Sequence, residues 1–113
     1  MMTKLELNEN LALLYGINSK KSFWRLDPDV GKSFHTITLL IDDSARMFEL
    51  MIEHKVQILN TKLWFQAKVE LPTIILSQEW ILHKEHFKDH ETQQAAARFA
   101  IAMALVKLAE SKS

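Results

Sequence analysis

The stretch DHETQQAAARFAIAMALVKLAE, residues 89–110, decides the fold of this chain. It contains neither glycine nor proline and is rich in strong helix formers, which predicts a helix over about 90–110 with Asp89 as its N-cap. At about 100° per residue, its large apolar side chains fall on two roughly opposite sides. They are Phe99, Met103 and Val106 on one side and Ile101, Leu105 and Leu108 on the other. A helix that is apolar all round must be covered on more than one side, by its own domain or by a partner.

Two more helices are predicted N-terminal to this stretch. Residues 3–6 (TKLE) have capping-box spacing and Gly16 stands at the expected stop, which predicts a helix over about 4–15. The acidic pair at 42–43 supplies N-caps for a helix over about 43–54. Apolar positions cover well over half of the circumference of this second helix, so it is also expected to be heavily buried.

The strand signals lie between these helices. Alternating apolar and polar residues predict a β-hairpin over about 56–71, and a β-branched, apolar run predicts a strand over 34–41. Residues 18–33 are polar and hold both Pro28 and Gly31, so they are interpreted as a loop or irregular arm. The two aromatic residues at 23–24 are expected to fold back as a lid on the core, and the alternative is that they are exposed for binding.

The segment after the hairpin allows two interpretations. Residues 73–76 are compatible with a short strand, and Ser77 suits the N-cap of a short helix over 78–87, although an extended form is also compatible. Together the elements predict a single α+β domain over 1–113. In this domain a small, mostly antiparallel sheet is sandwiched by the three helices.

Composition narrows the class of protein. Lysine plus arginine and aspartate plus glutamate number 14 each, so no global field favours nucleic acid or an anionic membrane. The absence of cysteine excludes disulfides and thiolate catalysis. The N-terminus is too polar for a signal peptide, and the most apolar run is too short to span a bilayer. A cytoplasmic protein without a membrane segment is therefore predicted.

The sharpest candidate for metal binding is the group His83, His86 and His90. On an unbroken helix these imidazoles would share one face and could hold zinc, with Glu85 or Asp89 as supporting partners. The spacing matches no metalloprotease motif, and a cap at Asp89 would break the helical register. A solvated polar face is therefore the preferred interpretation, and neither a metal nor a cofactor is predicted.

No catalytic motif is present, so the chain is not expected to be an enzyme. No serine lies in a Gly-x-Ser-x-Gly sequence, and Gly16 and Gly31, the two glycines, cannot build a phosphate-binding loop. Asp42 and Asp43 resemble a carboxylate dyad, but helix capping explains them.

Two surfaces are candidates for binding. Residues 20–25 combine basic and aromatic side chains that could stack on bases, but Asp27 and Asp29 dilute the charge, so nucleic acid is not favoured. Five residues are predicted to contribute to a protein-binding surface: Trp24, Trp64, Arg98, Ala102 and Leu105. Arg98 is an isolated charge that either extends to solvent or pairs with a carboxylate, within the chain or across an interface. A homodimer is also predicted, because the second and third helices carry more apolar surface than one thin sheet covers.

A resemblance rests on the order of these elements. The chain has a helix closing in Leu-Tyr-Gly at 14–16, an arm bearing Trp24 and Pro28, an acidic helix start at 42–43, a hairpin and a final alanine-rich helix. In this order it resembles the small phage and prophage proteins grouped as the phage ABA-sandwich domain. The resemblance implies helices around a small antiparallel sheet and no established catalytic role. The apolar run at 34–41 and the histidine-rich stretch depart from that family.

The leading hypothesis is a phage- or prophage-type accessory protein that binds another protein, such as a host defence or regulatory factor, in the host cytoplasm. The alternative is a protein that binds a small ligand or a metal through His83, His86 and His90. A third hypothesis is weak single-strand nucleic-acid binding through residues 20–25.

Overall fold

The computed structural model describes residues 2–71 and 79–111. Within them the chain forms three α-helices and two antiparallel sheets, so the α+β class with a small sheet packed against helices is confirmed. The elements are α1 (Lys4–Tyr15), β1 (Lys20–Asp27), β2 (Lys32–Leu39), α2 (Ser44–Glu53), β3 (Gln57–Asn60), β4 (Trp64–Leu71), β5 (Glu79–His86) and α3 (Gln93–Ser111). Short 3-10 turns follow β2 and β5.

The first two helices lie where their capping residues predict them. The Thr3 hydroxyl accepts the N–H of Glu6 at 3.2 Å, and Gly16 ends α1 in the left-handed region with φ +64°. The Asp43 carboxylate accepts the N–H of Arg46 at 3.2 Å and caps α2. Both helix predictions are confirmed to within about one residue.

The last helix starts later than predicted. Thr92 caps α3 by accepting the N–H of Ala95 at 3.0 Å. Asp89 instead lies in the 3-10 turn, and His90 has an extended backbone with φ −132° and ψ 157°. The prediction of Asp89 as N-cap is therefore wrong, because the hydroxyl of Thr92 provides the cap one turn further along the chain.

The chain itself covers most of the apolar surface of α3. One side of α3 packs against β4 and β5, and other sides contact α1 and α2. Ala100, Ala102 and Leu105 are fully buried in the core. Tyr15 of α1 donates its hydroxyl to the carbonyl of Leu105 at 2.6 Å, and burial raises the pKa of this phenol to about 12. The all-round apolar pattern of α3 thus reflects packing within the chain.

The three-stranded sheet has the order β3-β4-β5, with both pairs antiparallel. Its β3–β4 hairpin confirms the prediction over 56–71. Of the two interpretations of 78–87, the described residues adopt the extended one and not the short helix, because Glu79–His86 form a strand paired with β4. Pairing along the far edge of β4 satisfies backbone groups that a helix here would leave to solvent. The strand at 73–76 and the cap at Ser77 lie outside the described residues.

The first sheet is a two-stranded ribbon of β1 and β2, paired in register from Lys20 opposite Leu39 to Asp27 opposite Lys32. The loop prediction for 18–33 is therefore wrong. Its turn-forming residues occupy only the tip, where the N–H of Gly31 (φ +71°) donates to the carbonyl of Asp27 at 2.7 Å. The strand predicted over 34–41 is largely confirmed by β2, whose chain then enters the 3-10 turn.

Candidate functional site

The ribbon projects from the rest of the molecule. We call residues 20–39 the hairpin arm and the other described residues the body. The chain measures 61 × 33 × 25 Å and has a radius of gyration of 16.2 Å, whereas a compact chain of this length has about 13 Å. An eight-residue antiparallel strand extends roughly 27 Å, which is enough to account for the elongation. Neither strand of the arm packs extensively against any other described element.

A buried asparagine fixes the base of the hairpin arm. Asn8 of α1 is fully buried, and its amide donates to the carbonyl of Ser19 at 2.8 Å and accepts the N–H of Ile41 at 2.8 Å. The N–H of Leu40 also donates to the carbonyl of Ser19 at 2.8 Å. One side chain therefore joins the chain entering the arm to the chain leaving it. Asn8 was not predicted as a functional residue, although its position between Leu7 and Leu11 placed a polar residue beside an apolar face.

One face of the hairpin arm is apolar and exposed. Trp24 is 72% exposed, Leu26 67% and Ile37 56%, and the alternation along paired strands places them on the same face. The ring of His35 lies opposite Trp24 with 5.3 Å between ring centroids. The prediction that Trp24 folds back as a lid is wrong, because the residues around it pair into a ribbon that carries it away from the core. The side chain of Phe23 lies outside what the structure describes.

The same alternation separates the aromatic and basic residues of the proposed nucleic-acid patch. Trp24 lies on one face of the arm, while Lys21 and Arg25 lie on the opposite face together with Asp27. A base stacked on Trp24 would therefore not have its phosphates beside these two cations. This arrangement weakens the nucleic-acid hypothesis.

No protein-family model matches the chain, and neither a curated protein nor a solved structure is similar enough to be matched. The resemblance to the phage ABA-sandwich domain stays a prediction. None of the described helices has the length and apolar character needed to cross a membrane.

A second candidate site is a polar cluster between β5 and α3. His83 and Glu85 alternate onto the inner face of β5, and His90 follows the 3-10 turn. One carboxylate oxygen of Glu85 contacts Nε2 of His83, and the other lies 2.9 Å from Nε2 of His90. Nζ of Lys107 lies 3.0 Å from Nδ1 of His83. The side chains of His83, Glu85 and His90 are only 16%, 12% and 14% exposed.

The partners of His83 define its protonation. The Lys107 ammonium can only donate, so Nδ1 of His83 accepts and Nε2 carries the proton that it donates to Glu85. Burial lowers the pKa of His83, and the charge of Lys107 acts in the same direction, against the opposing effect of the Glu85 carboxylate. His83 is therefore a neutral imidazole held between a cation and an anion.

The structure does not bring the three predicted histidines together. His86 alternates onto the outer face of β5, opposite the face that carries His83, and is exposed. The predicted sharing of one helix face is wrong because the segment is a strand, and Glu85 instead lies between His83 and His90. Among the described residues, no three or more acidic or histidine side chains form a group that could hold a metal ion.

The predicted partner surface on α3 is also corrected. Ala102 and Leu105 are fully buried by their own chain, so they present no surface to a partner. Arg98 donates from Nη1 to the hydroxyl of Ser44 at 3.0 Å and joins α3 to the first turn of α2. Trp64 lies half-buried on the outer sheet face, with Nζ of Lys84 4.1 Å from its ring centroid. Of the five candidates, Trp24 is the one whose side chain is mostly exposed.

Proposed function

We propose that this chain is a non-enzymatic accessory protein that binds another protein through the apolar face of its hairpin arm. The observation that carries the proposal is the exposure of Trp24, Leu26 and Ile37 on one face of a ribbon that projects beyond the body. Exposed apolar patches on soluble proteins commonly mark interaction surfaces, and tryptophan is enriched among residues that dominate binding energy.

The arm has the properties of a binding element. A two-stranded ribbon alone is marginally stable, so a partner that covers one face would add the support that its own domain does not give. The two outer edges of the ribbon also present backbone groups to which a partner strand can pair. The buried anchor at Asn8 orients the arm relative to the body, which reduces the cost of ordering it on binding.

The chemistry of this face favours a protein over nucleic acid. From Ser22 to Leu26 on β1, and across to Ile37 on β2, the face that carries Trp24 holds no acidic or basic side chain besides the imidazole of His35. Lys20 stands only at the base of the arm. An uncharged apolar strip suits a hydrophobic groove on a protein, whereas a nucleic-acid surface would need cations beside its aromatic residues.

We extend the proposal to a phage or prophage protein that modulates a host defence factor in the host cytoplasm. This extension is supported by the sequence resemblance alone. Self-association is a second proposal, supported by the exposure of Phe48 and Ile52 on α2, at 57% and 60%. Light scattering that gives the monomer mass at micromolar concentration would contradict it.

Affinity purification with mass spectrometry tests the main proposal. The bait proteins are the natural chain, an arm variant with Trp24→Ser and Ile37→Ser, and a matched control with Leu13→Ser and Leu63→Ser. The control residues are 80% and 72% exposed and lie outside the arm. We expect the natural chain and the control to recover the same partner and the arm variant to lose it. Recovery of one set of proteins by all three baits would overturn the proposal.

A further inference from the structure

A cavity opens on the body, and no residue of the hairpin arm lines it. It has a volume of about 530 Å³, within the range of pockets that hold small organic molecules. Its apolar wall is formed by Met2, Ile41, Ala95 and Phe99. The wall therefore joins residues from the segment before α1, the 3-10 turn after β2 and the first turns of α3. A hydrocarbon group placed here would lose contact with water on several sides.

The side chains of His90 and Glu85 complete the wall, and both are held in place by contacts within the chain. Nε2 of His90 donates to Glu85 at 2.9 Å, and His83 holds the second oxygen of the same carboxylate. The imidazole of His90 also packs on Phe99, with 5.1 Å between ring centroids. Both groups are thus held in place before a ligand arrives, which lowers the entropy cost of binding.

Within the chain, the network of His83, Glu85 and His90 already contacts one ammonium group. Nζ of Lys107 lies 3.0 Å from Nδ1 of His83, while the other ring nitrogen of His83, Nε2, contacts Glu85. The corresponding Nδ1 of His90 has no hydrogen-bond partner among the described residues, and His90 lines the cavity. An ammonium of a ligand that donates to Nδ1 of His90 would repeat the contact that Lys107 makes with His83. Both histidines would then lie between an ammonium and the Glu85 carboxylate.

The charges of the lining select the same kind of ligand. Besides Glu85, the carboxylates of Asp42, Asp89 and Glu91 line the cavity. Lys4 is the one lysine or arginine of the lining, and its Nζ lies 2.7 Å from Asp42, which it largely neutralises. A negative cavity with an apolar wall attracts cations and disfavours anions and metabolites that carry phosphate groups.

We propose that this cavity binds a small organic cation, namely a primary ammonium carried on an apolar body. The ammonium donates to Nδ1 of His90 and lies beside the carboxylates, and the apolar body packs against Phe99 and Ile41. This inference is independent of the hairpin arm and of any protein that the arm binds.

Calorimetric titration of the natural chain tests the site with two probes of matched shape. These are 2-phenylethylammonium and the uncharged 2-phenylethanol. We expect saturable binding of the ammonium that weakens with added salt, and at least about tenfold weaker binding of the alcohol. Absence of saturable binding, or equal affinity for the two probes, would overturn the proposal.

Charge-removing variants locate the binding. Glu85→Gln keeps the size of the side chain and should weaken ammonium binding at least about tenfold. Glu53→Gln, at an exposed position of α2 outside the lining, should bind like the natural chain. If Glu85→Gln does not fold, the exposed pair Asp89→Asn and Glu91→Gln provides the same test at the rim. Equal affinity of the cavity variant and the Glu53→Gln control would contradict the assignment.

Discussion

The two antiparallel sheets of this chain each contain a pair of eight-residue strands but differ in what covers them. In the three-stranded sheet, Phe65, Ala67 and Val69 of β4 point inward and are buried beneath α3. In the hairpin arm, Trp24 and Ile37 point away from a ribbon that no described element covers. Alternation of apolar residues therefore builds a core in one sheet and an exposed surface in the other. The body is therefore the packed part of the molecule, and the arm is the part whose apolar side chains stay exposed.

The largest expected effect lies in the body. Leu105→Ala removes a fully buried side chain from α3, and it should lower the free energy of unfolding by about 2–5 kcal/mol because a cavity remains in the core. Urea denaturation monitored by circular dichroism measures this change. The exposed substitution Leu13→Ala on α1 serves as control and should change stability by less than about 0.5 kcal/mol. Similar losses for both variants would break the distinction between a packed body and its surface.

The second-largest expected effect lies at the junction between the body and the hairpin arm. Asn8→Leu leaves the carbonyl of Ser19 and the N–H of Ile41 without their buried side-chain partner, which should cost about 2–3 kcal/mol. Faster hydrogen exchange of the Ile41 amide should accompany the loss, because its acceptor is gone. The control Asn18→Ala changes an exposed asparagine next to the arm and should leave that exchange rate unchanged. Unchanged protection at Ile41 in the Asn8 variant would refute the anchor.

Sequence patterns predicted the parts of the fold that carry their own signal. The alanine-rich composition of α3 and the alternation of the β3–β4 hairpin are local, and capping residues fixed both ends of α1. The arm was missed because Pro28 and Gly31 suggested a long loop, although both belong to a short turn at its tip. A large aromatic residue in a predicted loop does not show whether another element covers it, so Trp24 was expected to form a lid on the core while also being a candidate for partner binding.

The candidate sites depended on contacts that are distant in sequence. The spacing of His83, His86 and His90 suits a helix, and the strand that replaces it is defined by pairing with β4, which the segment's own pattern does not show. The role of Asn8 depends on two segments 11 and 33 residues away. The side-chain types were therefore visible in the sequence, whereas the geometry that joins them was not.

The polar cluster gives the body a pH dependence. In the folded state, burial and the Lys107 charge lower the pKa of His83, so the unfolded chain binds a proton near the usual pKa of 6.5 while the folded chain stays neutral to lower pH. Stability from this group is present above 6.5. It falls as the pH decreases from 6.5 toward the folded pKa, and the loss levels off below that value.

Unfolding of the natural chain, His83→Gln and His86→Gln between about pH 7.5 and about pH 5 isolates this contribution. We expect the natural chain and the His86→Gln control to lose more stability on acidification than His83→Gln, because only His83 is buried against Lys107 and Glu85. Parallel pH profiles for all three proteins would show that the His83 network does not control this dependence.

The smallest expected effect on stability is that of a substitution in the hairpin arm. Trp24→Ser replaces a side chain that is 72% exposed, so the free energy of unfolding should change by less than about 0.5 kcal/mol. Because the ring of His35 is the near neighbour across the ribbon, a small loss of cross-strand contact is the only packing cost expected. Urea denaturation measures the change. A loss as large as that of Leu105→Ala would show that Trp24 belongs to a packed core, and the arm would then no longer be free to bind a partner.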